Sequence, residues 1–244
     1  MFQSSLPSIY DHIYAYKKYR DEVQNIEEIL ETKDIPSQHI LELATGTGCY
    51  LEHFCRDSRQ IVGIDICEES LMYASFRIPT GKFYVCDMTA LSSSIFPVEH
   101  QKFDVVLALF GAIGYVPPEK LQSCIENWIN FLTPSGVLIL EPWHEHPEEG
   151  IYHQQYTSNH LNIHREAQVQ CIEKQTIMNF VYTIEAPNQS IQRIESTEIL
   201  WAHPFSLLQD MIHNSDAHIV YRQKSDFSET GQWYIQKEKK SHLL

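Results

Sequence analysis

The chain has 244 residues, enough for one large domain or for a domain carrying an elaboration. Its 18 Lys and Arg against 32 Asp and Glu give a net charge of −14, a surface that repels phosphate backbones and excludes nucleic acid as an expected partner. With 43% hydrophobic and 20% charged residues, the chain can bury a sizeable core, which excludes disorder as its main state.

Residues 1–7 lack the basic start and apolar run of a signal peptide, and the longest apolar run, residues 105–113, is less than half a membrane span. A cytoplasmic protein without membrane contact is expected. The six cysteines form no C-x-x-C pair, so they are read as reduced, buried small hydrophobes rather than a disulfide framework or a zinc site.

In chain order, Val23, Ile26, Ile29 and Leu30 recur at helical spacing, and residues 33–37 break the pattern. A strand over 39–44 is followed by a glycine-rich turn and a helix over 50–55. A second strand over 61–66 ends in Asp65, and a helix opens at Cys67. Strands over 83–88 and 103–110 follow, then a helix with Leu121, Cys124, Ile125, Trp128, Ile129 and Leu132 on one face and a turn over 133–136. A fifth strand covers 137–141. Five strands alternating with helices predict an α/β fold with a doubly wound, mostly parallel sheet, because parallel neighbours need crossover connections.

After residue 141 the period changes. Leu161, Ile163, Ala167, Val169 and Cys171, and then Met178, Phe180, Tyr182, Ile184 and Ala186, follow the period-2 spacing of half-buried antiparallel strands, with a third strand over 191–201. A helix follows Pro204, and strands over 219–224 and 232–236 form a C-terminal antiparallel hairpin. Residues 142–203 are far too long for a strand-to-helix connection. They are expected to be an inserted small antiparallel sheet, serving as a substrate cover or a dimerisation element on a core made of residues 1–141 and 204–244.

The chemistry lies at the strand ends. Glu42-Leu43-Ala44-Thr45-Gly46-Thr47-Gly48 joins the first strand to a helix, where a ligand can approach bare backbone at Gly46 and Gly48 and meet the helix N-terminus. With Ala at 44 and Leu51 in place of a third glycine, the spacing is not that of a dinucleotide fold, and NAD is disfavoured. Asp65 can accept both hydroxyl hydrogens of a ribose. Asp87 can accept from an adenine amine, with Ile66 and Met88 enclosing the ring. Any one of these acids is more often a cap or turn carboxylate; three successive strand ends together point to an adenosine-containing ligand.

With these motifs the chain resembles the class I S-adenosylmethionine-dependent methyltransferases, whose fold is Rossmann-like. The resemblance implies S-adenosyl-L-methionine as cofactor, with Glu42, Ala44, Thr45, Gly46 and Gly48 around its methionine part, Asp65 on the ribose and Asp87 facing adenine. Leu109, at the end of the fourth strand, completes that set. Ser8-Ile9-Tyr10-Asp11-His12-Ile13-Tyr14, Lys17-Lys18-Tyr19, Phe110-Gly111-Ala112-Ile113-Gly114-Tyr115 and Glu141-Pro142-Trp143 are similar to the amino-deoxysugar N,N-dimethyltransferases of the desosamine type. That likeness implies Tyr14 and Tyr19 as a lid over the sulfonium, and Tyr115, Glu141, Trp143 and Arg165 around a small-molecule acceptor. The departures are Gly111 and Ala112 where those enzymes carry serines, and His144 where they have a second Trp.

An amine acceptor must lose a proton before it attacks, and Glu141, with His144 second and Tyr14 nearby, is placed to accept it. Glu141 serves equally well as a strand-end structural carboxylate. His144, His146 and His153 have no ligand spacing, and no metal is assigned. Two further readings stand beside amino-sugar N-methylation: small-molecule O-methylation, and a nonenzymatic S-adenosylmethionine sensor.

Overall fold

The computed structural model describes residues 5–56, 58–97, 102–158, 161–187, 190–225 and 227–238. Residues 1–4 and 239–244 of the expected core lie outside them. The expected strands form around a seven-stranded sheet: β1 (His39–Leu43), β2 (Gln60–Asp65), β3 (Lys82–Val85), β4 (Phe103–Ala108), β5 (Leu132–Leu140), β10 (Ala217–Gln223) and β11 (Gln232–Lys237). Their order is β10-β11-β5-β4-β1-β2-β3. Strands β1 to β5 run parallel, whereas β11 lies antiparallel to β5 and β10 antiparallel to β11.

The order reverses between β1 and β4, so the chain leaves their carboxyl ends in opposite directions and opens a crevice there. The β4 residues Phe103 to Ala108 are all buried, as a strand covered on both faces must be. One face packs on α5 (Pro118–Asn130) through Leu121, Cys124, Ile125 and Trp128, together with α6 (Phe205–Asn214). The opposite face packs on α2 (Tyr19–Thr32) through Val23, Ile26 and Leu30, and on α3 (Leu51–Phe54).

The insertion is a second sheet, β6 (Gly150–Thr157), β7 (Asn162–Ile172), β8 (Gln175–Glu185) and β9 (Gln192–Trp201), antiparallel throughout and in sequential order. Its apolar face, Ile163, Ala167, Phe180, Tyr182 and Ile184, closes on Ile9 and Ile13 of the N-terminal helix α1 (Leu6–Ile13). In turn α1 lies against α4 (Glu68–Arg77): Asp11 pairs with Arg77 and Ser5 bonds Glu69.

Several expectations are corrected. Strand β6 escaped the sequence reading because its residues are mostly exposed on both faces and show no alternation. The helix after the glycine turn is the single turn α3, too short to sum the peptide dipoles that would make its N-terminus an anion site. Only Cys124 of the six cysteines is fully buried, and Cys55 is exposed; all are free thiols.

Candidate functional site

The crevice floor is the turn after β1. Ala44, Gly46 and Gly48 all take positive φ, at 52°, 55° and 80°. A side chain at Gly46 would meet nothing within 4 Å, so its backbone faces open space, whereas a Cβ at Gly48 would approach Ala74 of α4 to 3.1 Å. Gly48 thus serves close packing and Gly46 access. Ala44 stands in a conformation where a glycine is at ease and bears that strain.

Asp65 ends β2 and ties the floor together: one oxygen accepts from the Gly46 N–H at 2.8 Å, the other from the Cys67 N–H at 2.8 Å. A carboxylate oxygen offers two acceptor positions, so each keeps one for a ribose hydroxyl. Asp87 lies two residues beyond β3 and caps a short 3₁₀ turn through the Thr89 N–H at 2.8 Å. Met88 beside it is buried, and the Trp128 indole N–H holds its carbonyl at 3.2 Å. Ile66, expected to share the ring enclosure with Met88, is 74% exposed. The open backbone at Gly46 and the spare acceptor positions on two strand-end carboxylates fit an adenosine-type cofactor.

Glu42 is buried beneath the turn and accepts from the Thr45 hydroxyl at 2.5 Å. Burial pushes its pKa up to about 8; the Thr45 hydrogen bond opposes this and the Asp65 charge adds to it. The unfolded chain releases this proton near 4.5, the folded chain near 8. Between those values the native state binds the extra proton, so stability falls as pH rises, by up to ~1.4 kcal/mol per pH unit. Urea unfolding from pH 5 to 8 is therefore expected to show a flatter slope for Glu42→Gln than for the parent. Equal slopes would remove Glu42 as the source.

The roof is aromatic. Tyr14, at the end of α1, meets the Phe110 ring edge-on at 5.3 Å and Tyr10 at 4.6 Å, and burial pushes its phenol up to about 12. Tyr19 packs edge-on against Tyr50 at 4.9 Å. The nearly buried Lys17 ammonium sits 4.7 Å over Phe110 and 5.3 Å over Tyr50, and bonds Glu22 at 2.6 Å. Lys17, Glu22 and Tyr50 were not expected as site residues, since their convergence depends on how α2 docks. On the inserted sheet, Arg165 reaches the Tyr14 hydroxyl at 3.5 Å and lies over Phe180, and its buried Nε–H has no partner.

The fourth wall follows β4. The strand stops at Ala108, two residues short of expectation, because Phe110 and Gly111 take φ of 53° and 71°. Leu109 is buried at that bend. Glu141, fully buried just past β5, accepts from the Phe110 N–H at 2.7 Å and from the Ser225 hydroxyl. Each carboxylate oxygen holds one donor, as in Asp65, but Glu141 is fully buried where Asp65 is half-buried, so its remaining acceptor positions do not face the open crevice. Burial raises its pKa, an effect opposed by those two hydrogen bonds and by the Lys17 charge. His144 packs on Trp143 and Phe227, with Nδ1 3.7 Å from Glu229. Phe227 in turn packs on Phe110 at 4.5 Å, which links this loop to Tyr14 through one ring. Tyr115 ends the turn after Gly111 and donates to Glu198 of β9 at 2.8 Å. Among the described residues no group of three or more His, Cys, Asp or Glu is placed to hold a metal.

Residues 40–136 match the family described as "Methyltransferase domain". The dTDP-3-amino-3,4,6-trideoxy-alpha-D-glucopyranose N,N-dimethyltransferase of Streptomyces venezuelae is 27% identical over 146 residues, 59% of each chain. Similarity in structure extends further. The crystal structure of Streptomyces venezuelae DesVI superposes with a TM-score of 0.85 at 20% identity, covering 98% of this chain and 100% of that one. The S-adenosylmethionine-bound amino pentose methyltransferase CalS10 of Micromonospora echinaspora gives 0.77 at 18% identity over 96% and 97%. The likeness in sequence to a methyltransferase domain thus covers residues 40–136, and the chain as a whole shares the Rossmann-like fold of these solved structures. In sequence the chain is similar to dTDP-amino-sugar N,N-dimethyltransferases, and it spans just over half the length of those relatives.

Proposed function

We propose that this protein methylates the nitrogen of a small amine, an amino-sugar, with S-adenosyl-L-methionine as donor. The observation that carries the reading is the alignment of the open Gly46 backbone with Asp65 and Asp87 on successive strand ends, beneath the tyrosines of α1. When bound, the cofactor supplies a methyl group on a cationic sulfur. The chain's own residues hold the ribose through Asp65 and the adenine through Asp87 and Met88, and they exclude water with Tyr14 and Tyr19. Displacement at a methyl group needs alignment and a dry site above all. Trp143 and Tyr115 line the acceptor side, and Arg165, with its unpartnered Nε–H, is suited to an anionic group such as the phosphate of a sugar nucleotide.

In this reading Glu141 positions Phe110 and is not the base, and His144 supports Phe110 through Phe227. The free thiols agree with a cytoplasmic location, and the net charge of −14 speaks against a nucleic-acid partner. No helix among the described residues is long and apolar enough to cross a membrane. Residues 142–203 act as the acceptor cover on a core of 1–141 and 204–244.

The deciding experiment is mass spectrometry of dTDP-amino-sugars and simple hydroxylated sugars incubated with the protein and S-adenosylmethionine. Gains of one or two methyl masses on amines alone are expected. Methylation of hydroxyls alone would establish O-methylation, and cofactor binding without turnover on any acceptor would favour the sensor reading.

A homodimer through the inserted sheet belongs to the same reading. Ile151 and Ile199 are exposed on the face turned away from α1, and covering these apolar side chains favours association. Light scattering is expected to give twice the chain mass, and Ile199→Asp to shift it toward the monomer. A parent that is monomeric at high concentration would exclude the dimer.

A further inference from the structure

The face of the inserted sheet turned toward the cleft carries one feature that the cofactor and fold do not use. Along β9 the odd residues Thr197 and Ile199 are exposed, whereas Ser196, Glu198 and Leu200 turn inward, with Glu198 paired across to Met178 of β8. Leu200 packs beside Gly114, which brings this strand onto the turn that ends in Tyr115. There the Tyr115 hydroxyl donates to Glu198 at 2.8 Å.

Among the described residues no Lys, Arg or His forms an ion pair with Glu198. Its surroundings are phenols instead. Burial first, and then this carboxylate, pushes the Tyr115 phenol well up, and the same charge acts on Tyr10, Tyr14 and Tyr182. A carboxylate without a cation, among aromatic rings at a cleft mouth, is the chemistry that receives an alkylammonium: the ring faces attract the cation and the carboxylate neutralises it.

We propose that Glu198, held by Tyr115, is the residue that recognises the charged nitrogen of the acceptor on entry and of its methylated product; the entering ammonium gives its proton to solvent, and the free lone pair then takes the methyl group. The inference rests on the amine reading above and gives that site its specificity-determining carboxylate. Arg165, on β7 of the same face, lies four residues along from the position level with Glu198, so an acceptor bearing an amine and an anionic group would find the two charges on one sheet face.

The test uses tetramethylammonium chloride, which has no proton to lose and reports charge recognition alone, with tert-butanol as a neutral probe of similar shape. Both are titrated into the full chain by NMR saturation transfer. Glu198→Gln is expected to weaken tetramethylammonium binding about tenfold and to leave tert-butanol binding, S-adenosylhomocysteine affinity and melting temperature unchanged. Glu198→Asp, which keeps the charge, should retain most of the binding. Equal tetramethylammonium affinity in the parent and Glu198→Gln, no detectable binding in the parent, or a loss shared by tert-butanol would overturn the proposal. The two readings fail separately. If no amine is methylated while the Glu198-dependent binding holds, only the reaction is wrong; if amines are methylated and Glu198→Gln binds the probe as the parent does, only this inference is wrong.

Discussion

Replacing Glu141 by alanine is expected to destabilise the protein by about 3 kcal/mol and to abolish most turnover, whereas Glu141→Gln, which loses only the Ser225 bond, should keep most of both. The reason is the fully buried carboxylate between Phe110 N–H and the Ser225 hydroxyl. Alanine leaves both donors without acceptors in a space closed to water, at about 1 to 3 kcal/mol each before relaxation. It also releases Phe110, whose positive φ is costly for a residue with a Cβ and persists only when its surroundings enforce it. Phe110 then loses its place against Tyr14, Lys17 and Phe227, and the roof and the far wall of the cleft loosen together. Glutamine retains an oxygen for Phe110 N–H and gives up only the Ser225 bond, since the Ser225 oxygen already accepts from the Phe227 and Ser228 N–H groups and cannot take an amide donor as well. Denaturant unfolding and steady-state rates on the three proteins decide the matter. A stable, fully folded Glu141→Gln whose turnover falls by about 10²-fold would restore the carboxylate to the part of a base.

The second large effect is at Asp65. Asp65→Ala should weaken S-adenosylmethionine binding by about 10²-fold in calorimetry, because it removes an acceptor for ribose and also frees the Gly46 N–H that shapes the open floor of the crevice. Asp65→Asn, which can still accept from Gly46 N–H, should recover part of the loss. The pattern separates the two duties: ligand contact is lost in both variants, loop shape only in alanine. Unchanged affinity in Asp65→Ala would remove the residue from the cofactor site and weaken the adenosine reading with it.

The parallel core and the crevice at its strand ends were legible in the residues themselves. Continuous apolar runs at β1, β2, β4 and β5, each followed by a helical face, permit little other than a doubly wound sheet, since buried parallel strands and their crossovers are a local consequence of hydrophobic period. The crevice acids were legible for the same reason: Asp65 ends β2 and Asp87 follows β3, and strand ends are set by where an apolar run stops. The alternation in β7 and β8 likewise foretold a sheet with one buried face, which α1 covers.

Functions of single side chains were decided elsewhere. Whether Glu141 is a base or a clamp depends on Ser225, 84 residues away, reaching it from the loop between β10 and β11. The pairing of Tyr115 with Glu198 spans 83 residues and exists only because β9 lies against the turn after β4. Lys17 meets Phe110 and Tyr50 through the docking of α2. Periodicity and motif spacing record which face of an element is buried, because burial repeats with the backbone. The partner that a polar atom finds on that face comes from a distant segment, and only the packing of the elements brings the two together.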